Sequence, residues 1–513
     1  MTEIIHEEIK KRTISPDAQV IVEKKDTLNN AREIKKMRVR ERLDLLLDAH
    51  SFQEWDHLAV SSIIDKKEIT DGVITGFGTI NKRKVAIYAQ DFSIKGGSLG
   101  KRHAEKICKI MDMAVKVGCP IIGIIDSGGA RIDEGIHALA GYGSIFARNA
   151  RYSGIVPQIS LILGPCAGGA TYSPSLTDFI FTTQGISNLF ITGPQVIEKA
   201  LHQKITKEAL GGAMVHAKTS GVAHFVAQTE ADCFQMLKQL FEYLPNNYLD
   251  DVSMRAYDQT LEYPDPCDLV PANFSQSYSI KRVIQALVDA DSFFEVHELF
   301  AANMVTGFAF MGGRAVGIVA NQPSVKAGTI DIDASCKAAR FIRFCDCFGL
   351  PVVTLVDVPG YLAGVDQEHQ GIIRHGAKLL YAYATATVPK ITVVLRKAFG
   401  GAYIAMGSKD LGADVNAAWP QAQIAVLAAS AAVQILHAKK IAAAPQDEQA
   451  QMTADLTQHY EETFLNPTVA AQAGYIDAII KPSDTRKFII DALAITASKI
   501  DRQLPRKHGN IPL

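Results

Sequence analysis

The chain has 513 residues, 48% hydrophobic and 21% charged, so it can bury a sizeable core and lacks the composition of a disordered segment. Fifty-three Lys and Arg against 54 Asp and Glu leave a net charge of -1, which supplies no global attraction to nucleic acid or an anionic membrane. An anionic ligand must therefore be met locally.

The N-terminal MTEIIHEEIKKRT carries Glu3, Glu7 and Glu8 and no apolar centre, so it fits neither a secretory signal nor a transit peptide. Long apolar stretches such as 154–170 are broken by Pro157, Gln158 and Pro165, which argues against a membrane span. A soluble, cytoplasmic protein is expected. Its eight cysteines sit mostly among apolar residues and form no CxxC pair, so they read as reduced packing residues, with Cys345 and Cys347 on a helix in the core.

In chain order the first strong pattern is GFGTINKRKVAIYAQDF from Gly76, and it recurs 231 residues on as GFAFMGGRAVGIVANQP from Gly307. Each copy continues through a helical stretch to Gly-Cys-Pro (118–120) or Gly-Leu-Pro (349–351). Apolar strands follow, ending at Asp126 and Asp357. After a second helical region come QISLILGP and KITVVLRK, which run into Gly168-Gly169-Ala170 and Gly400-Gly401-Ala402. Strands alternating with helices in a constant register predict a duplicated α/β fold, residues 1–260 and 261–513, each with a largely parallel sheet. The Pro- and Ser-rich Leu261–Ser279 reads as the linker. The Ala-rich Ala417–Ala444 reads as an amphipathic helix facing core or interface.

Chemistry should reside in the glycine turns, where a strand opens into a helix and main-chain amides approach a ligand with no side chain between. Neither turn continues as GxxxxGK[ST], and Gly76-Phe-Gly78 lacks the third glycine of a dinucleotide fingerprint. Small and aromatic residues follow instead, which suits a carbonyl oxygen that gains charge during reaction. A well-aimed donor to such an oxygen lowers the barrier by roughly 3 to 4 kcal/mol. No HExxH ligand set occurs, so no metal is expected; Glu134 reads as a capping or pairing charge rather than a base. Two holes without a protein base imply two substrates, one of which brings the base.

DSGGARIDEG (126–135), GPCAGGATYSPSLTDF (164–179), LGGAMVHAKTSGVAHF (210–225) and RKAFGGAYIAMGSKDLGAD (396–414) resemble the biotin-dependent acyl-CoA carboxyltransferases, a likeness running from MRVRERLDLLLD (37–48) to the C-terminal RKHGNIPL. The resemblance implies two crotonase-like domains, acyl-CoA held by the first and biotin by the second domain of a neighbouring subunit, in a trimer of dimers. Gly168 and Gly169 would then hold the thioester oxygen, and Gly401 and Ala402 the biotin ureido oxygen. Gly128, Gly129 and Ala130 would line the acyl pocket, with Ala170, Tyr403 and Ile404 also contacting substrate. Arg38, Arg40, Lys95, Lys101 and Arg102 are candidates for the CoA phosphates. In the family's mechanism carboxybiotin releases CO2, its ureido nitrogen takes the α proton, and the enolate attacks CO2. No Ala-Met-Lys-Met biotinylation motif occurs, so biotin must arrive on a carrier or biotin carboxylase subunit. Position 404 is Ile where propionyl-CoA-preferring members tend to have Asp, which implies a pocket accepting acetyl-CoA as well.

Two alternatives share these features. A transcarboxylase or sodium-pumping decarboxylase subunit differs only in its partners. A crotonase-type hydratase or isomerase needs one competent domain and protein carboxylates, whereas both copies here keep the glycine turn.

Overall fold

The computed structural model describes residues 36–61, 70–501 and 504–512. The N-terminal segment with Glu3, Glu7 and Glu8 lies outside them. Among the described residues two eight-stranded sheets carry the fold. The first comprises β1 (Gln53–Trp55), β2 (Val73–Ile80), β3 (Arg83–Gln90), β4 (Ile121–Ser127), β5 (Gln158–Ala167), β6 (Phe179–Thr183), β7 (Asn188–Phe190) and β8 (Phe225–Ala227). The second comprises β9 (Phe294–Val296), β10 (Met304–Met311), β11 (Arg314–Asn321), β12 (Val352–Val358), β13 (Lys390–Phe399), β14 (Val415–Ala418), β15 (Gln423–Ala425) and β16 (Ala478–Ile479).

Their orders are β1-β2-β3-β4-β5-β6-β8, with β7 on β5, and β9-β10-β11-β12-β13-β14-β16, with β15 on β13. Among the described residues the antiparallel ladders are β1-β2-β3 and β9-β10-β11, and the remaining ladders are parallel. The reason lies in the connections. Two-residue turns at Asn81-Lys82 and Gly312-Gly313, with positive φ at both positions, suit tight hairpins, whereas β3 to β4 and β11 to β12 pass through the helices Lys101–Val117 and Ile332–Cys347. With helices over them, β4 and β12 are buried at every residue, as apolar runs without alternation require.

An aromatic seam joins the halves. Phe179 packs on Phe308 and Phe344, Phe225 stacks on Phe294 at 5.0 Å, and Tyr243 stacks on Phe310 at 4.9 Å while its hydroxyl donates to the Ser292 carbonyl. Each such ring pair contributes about 0.5 to 1.5 kcal/mol beyond area burial. His224 and His297 stack within this seam, 4.1 Å apart.

Two expectations need correction. Ala417–Ala444 is not one helix: β14 takes its start, β15 follows, and helices cover Ala429–Leu436 and Ala438–Ala443. Small apolar residues satisfy either state, and pairing of β14 and β15 with β13 selects strand. Cys345 is buried as expected, but Cys347, on the same helix, is exposed.

Candidate active site

Both halves deform in one way where their fourth strands end. The parallel register of β4 on β5 shifts between Ile125 and Ser127, and that of β12 on β13 between Val356 and Val358. A bulge leaves a main-chain amide outside the ladder. Here the Asp126 amide donates to Gln90 Oε1 at 3.2 Å, and the Asp357 amide to Asn321 Oδ1 at 3.3 Å. The bulge turns Gly128–Ala130 and its counterpart 359–361 toward the preceding loop, where Leu99 bridges Ala130 and Ile330 bridges Tyr361. A Cβ at Gly97 would lie 2.1 Å from the Asp126 carbonyl, so only glycine fits beneath the bulge.

The bulge carboxylates are buried, and each is paired with an arginine. Arg42, from the helix Val39–Leu46, donates to Asp126 at 2.8 Å, to Glu230 at 2.5 Å and to the Leu163 carbonyl. In the second half Arg396, on β13 itself, donates to Asp357 at 2.9 Å. Charges this deep persist only when paired and hydrogen-bonded. Neither arginine stands out locally, since 84 residues separate Arg42 from Asp126. The shared register of Gln90 with Asn321 and of Asp126 with Asp357 was the available signal.

β5 ends in a 3-10 turn, Gly168–Thr171, and β13 in a short helix, Gly400–Ala405. Their first residues have φ of 60° and 58°, a left-handed turn that glycine adopts without strain. First-turn amides lack an intrahelical acceptor, and no side chain among the described residues accepts from Gly168, Gly169, Gly401 or Ala402. The first turn is framed by its own half: a Cβ at Gly169 would meet the Tyr142 ring at 3.2 Å, and one at Gly129 the Ala167 carbonyl at 3.0 Å. Gly128–Ala130 and Gly168–Ala170 are thus neighbours. The second turn is framed by Tyr361 and the Val426 carbonyl. Ala170 and Ala402 are buried, Tyr403 is half-buried, and Ile404 is 45% exposed.

Not every lining residue has a free donor. The Gly128 amide donates to the Gly96 carbonyl at 2.9 Å and the Gly129 amide to Ser127 Oγ at 3.1 Å, so these residues shape a wall. Glu134 accepts from the Lys101 amide and Arg131; burial opposes its ionisation, but these partners hold it below the usual carboxylate range. A carboxylate so held is a weak base. Among the described residues no group of three His, Cys, Asp or Glu is placed to hold a metal.

The cationic candidates separate. Arg40 pairs with Glu54, Arg102 with Glu105 and Lys95 with Asp133, whereas the exposed Arg38 caps its helix through its main chain. Lys95 adjoins Gly96, whose carbonyl accepts from the Gly128 amide. Lys101 begins the helix Lys101–Val117 and lines a pocket with His137 and Arg148.

Comparison with known proteins places this arrangement. Residues 31–511 match the carboxyl transferase domain family. The methylmalonyl-CoA decarboxylase subunit alpha of Veillonella parvula is 50% identical over 485 residues, 93% of each chain. The propionyl-CoA carboxylase beta chain of Saccharopolyspora erythraea is 50% identical over 498 residues, 93% of this chain and 91% of that one. The crystal structure of transcarboxylase 12S, a hexamer with methylmalonyl-CoA bound, superposes with a TM-score of 0.90 at 47% identity, covering 93% of this chain and 92% of that one. Two parallel-rich α/β sheets matching that structure, with a glycine turn at the end of each fifth strand, are the two crotonase-like units of one architecture, and the chain belongs to the carboxyl transferase family as an acyl-CoA carboxyltransferase of the propionyl-CoA carboxylase and transcarboxylase kind.

Proposed function

We propose that this chain transfers a carboxyl group between carrier-borne biotin and the α carbon of a short acyl-CoA, with residues 1–260 forming the acyl-CoA side and 261–513 the biotin side. The observation that supports this most directly is the pair of equivalent glycine turns, each enclosed by residues of its own half. Biotin, brought by a separate carrier or biotin carboxylase subunit, supplies both the carboxyl group and the base, and the chain's own groups bind and orient. The amides of Gly168 and Gly169 face the thioester oxygen as the enolate forms, and those of Gly401 and Ala402 the ureido oxygen. Gly128, Gly129 and Ala130 wall the acyl group. Lys95 and Lys101 are the phosphate contacts this reading prefers, with Arg38, Arg40 and Arg102 as further candidates.

Half-sites in separate halves call for two chains. Apolar side chains are exposed around the first (Ile132, Ile136, Leu139, Ile191) and around the second (Ile373, Ile404, Val426, Ile435), and a neighbouring copy would cover them. We place the working enzyme in the cytoplasm as a trimer of dimers. Among the described residues, no helix is long and apolar enough to cross a membrane. Ile404 cannot hydrogen-bond, so acyl groups should be sorted by volume, at roughly 1 to 3 kcal/mol per methylene, and both acetyl-CoA and propionyl-CoA accepted.

The decisive assay uses the purified chain alone. Added biotin should release CO2 from malonyl-CoA or methylmalonyl-CoA, and ATP with bicarbonate should carboxylate nothing; ATP-dependent carboxylation by this chain would overturn the reading. A decarboxylase role, the second reading, is favoured by the 50% identity to the Veillonella parvula subunit. A multi-span membrane partner in pull-downs would select it.

A further inference from the structure

The arginine beside each bulge carboxylate spends its remaining donors differently. Arg42 gives them to Glu230 and the Leu163 carbonyl, inside the core of its own half. Arg396, only 2% exposed, directs Nη1 to three carbonyls of the segment between the halves: Pro271 at 3.2 Å, Asn273 at 3.2 Å and Gln276 at 3.1 Å. Its guanidinium also lies 4.8 Å from the Tyr278 ring centroid and 5.5 Å from that of Phe274. The next residue repeats the grip, since Lys397 Nζ donates to the Phe274 carbonyl at 2.8 Å and its amide to Asp357 at 3.2 Å. Position 164, the counterpart of 396, is glycine, so the first half has no equivalent clamp.

The location gives the clamp a consequence. Arg396 and Lys397 lie at the carboxyl end of β13, immediately before the turn at Gly400, and Asp357 lies at the carboxyl end of the adjacent β12. Ligands of parallel α/β sheets bind outside that edge. The segment 271–278 is held there with Asn273, Ser275 and Gln276 exposed, whereas a free linker of such composition would be mobile. Guanidinium provides a planar fork of five donors, so one residue serves the carboxylate and three carbonyls at once, which an ammonium cannot do.

We propose that Arg396 is a positioning residue of the second half-site: it docks the segment 271–278 as a wall of that half-site and thereby sets how tightly biotin is held, without touching it. The inference rests on the assignment of the second half to biotin. Arg396→Lys keeps a cation beside Asp357 but loses the fork. Lys397→Met, should the first variant fold poorly, frees the Phe274 carbonyl and leaves the buried pair intact. On the full chain, KM for free biotin and for malonyl-CoA are measured in biotin-dependent decarboxylation, alongside amide hydrogen exchange over 271–278. Arg396→Lys should raise the KM for biotin about tenfold, the scale of one lost hydrogen bond to a charged group, and Lys397→Met by a few-fold. The KM for malonyl-CoA should stay within about twofold, and the segment should exchange faster. A merely structural role would lower kcat through the active fraction and leave both KM values in place. That result, or equal shifts in both, overturns the proposal. A wild-type chain inactive with biotin sinks the underlying assignment and the proposal with it, whereas an active one with an unmoved biotin KM in both variants sinks the proposal alone.

Discussion

The two halves share strand order, bulge and glycine turn, yet they neutralise the same carboxylate by different routes. Asp126 is met by an arginine from a helix at the start of the described chain, in a cluster that also contains Glu230. Asp357 is met by an arginine of the neighbouring strand, which grips the linker as well. The fold determines where the charge sits, because the bulge is part of it, but not where the counter-charge originates. A buried carboxylate needs a partner, and any cation that can reach it serves. One half is therefore braced inward and the other toward the segment that precedes it.

The largest expected effect tests the inward brace. Arg42→Met leaves Asp126 and Glu230, both buried, without their guanidinium, which should destabilise the protein by about 3 to 5 kcal/mol. Urea unfolding reads this directly, and a loss under about 1 kcal/mol would mean that the first half does not depend on the pair.

Next in size is the equivalence of the two turns. Proline at Gly169 or at Ala402 removes one amide donor, and each should lower kcat by about 10²- to 10³-fold, with circular dichroism confirming the fold. Equal losses would show that both halves contribute to one reaction step. A loss in one variant only would break the symmetry on which the functional reading stands.

The seam adds a pH dependence to that of His103, which burial within the first half holds down to about 3. Burial holds His297 down to about 3 and His224 well below its ordinary value, so both imidazoles are neutral in the folded chain. Between pH 6.5 and about 3 the unfolded chain then binds more protons, and stability is lost as pH falls through that window, by about 1.4 kcal/mol per pH unit for each proton. Asp178, raised by burial to about 6, acts oppositely between pH 6 and 3.8, and burial raises Asp71, Glu295 and Asp333 in the same sense. Removing the stacked pair isolates its share: a His224→Gln, His297→Gln variant should lose less stability than wild type between pH 6.5 and 4.5 by urea midpoint, and parallel profiles would show that the seam admits water.

The smallest effect separates the halves by their thiols. Cys108, Cys119, Cys166 and Cys233, all in the first half, are buried, whereas Cys267 and Cys347 of the second are exposed. Labelling the native protein with a maleimide followed by peptide mapping should mark those two first. Early labelling at any of the four would contradict the packing of the first sheet.

Much of this architecture was readable because it is local or repeated. Buried strands appear as apolar runs, turns as glycine and proline, and a 231-residue register joins Gly76 to Gly307 and Asp126 to Asp357, lengthening by one residue between Gly168 and Gly400, so duplication and both glycine turns followed from the amino-acid order alone. Side-chain partnership across long separations did not follow. Whether Arg42 reaches Asp126, whether Arg396 faces the core or the linker, and whether His224 stacks on His297 depend on which strands become neighbours. The Ala-rich stretch shows the same limit within a single element, since alanine, valine and isoleucine fit helix and strand alike and only the free edge of β13 made 415–418 and 423–425 strands. The sequence by itself determined the repeated frame and the glycine turns that end its fifth strands, because those depend on main-chain preferences over a few residues; the tertiary structure alone decided the pairing of buried charges, because desolvation acts on whatever groups the frame brings together, however far apart they lie in the chain.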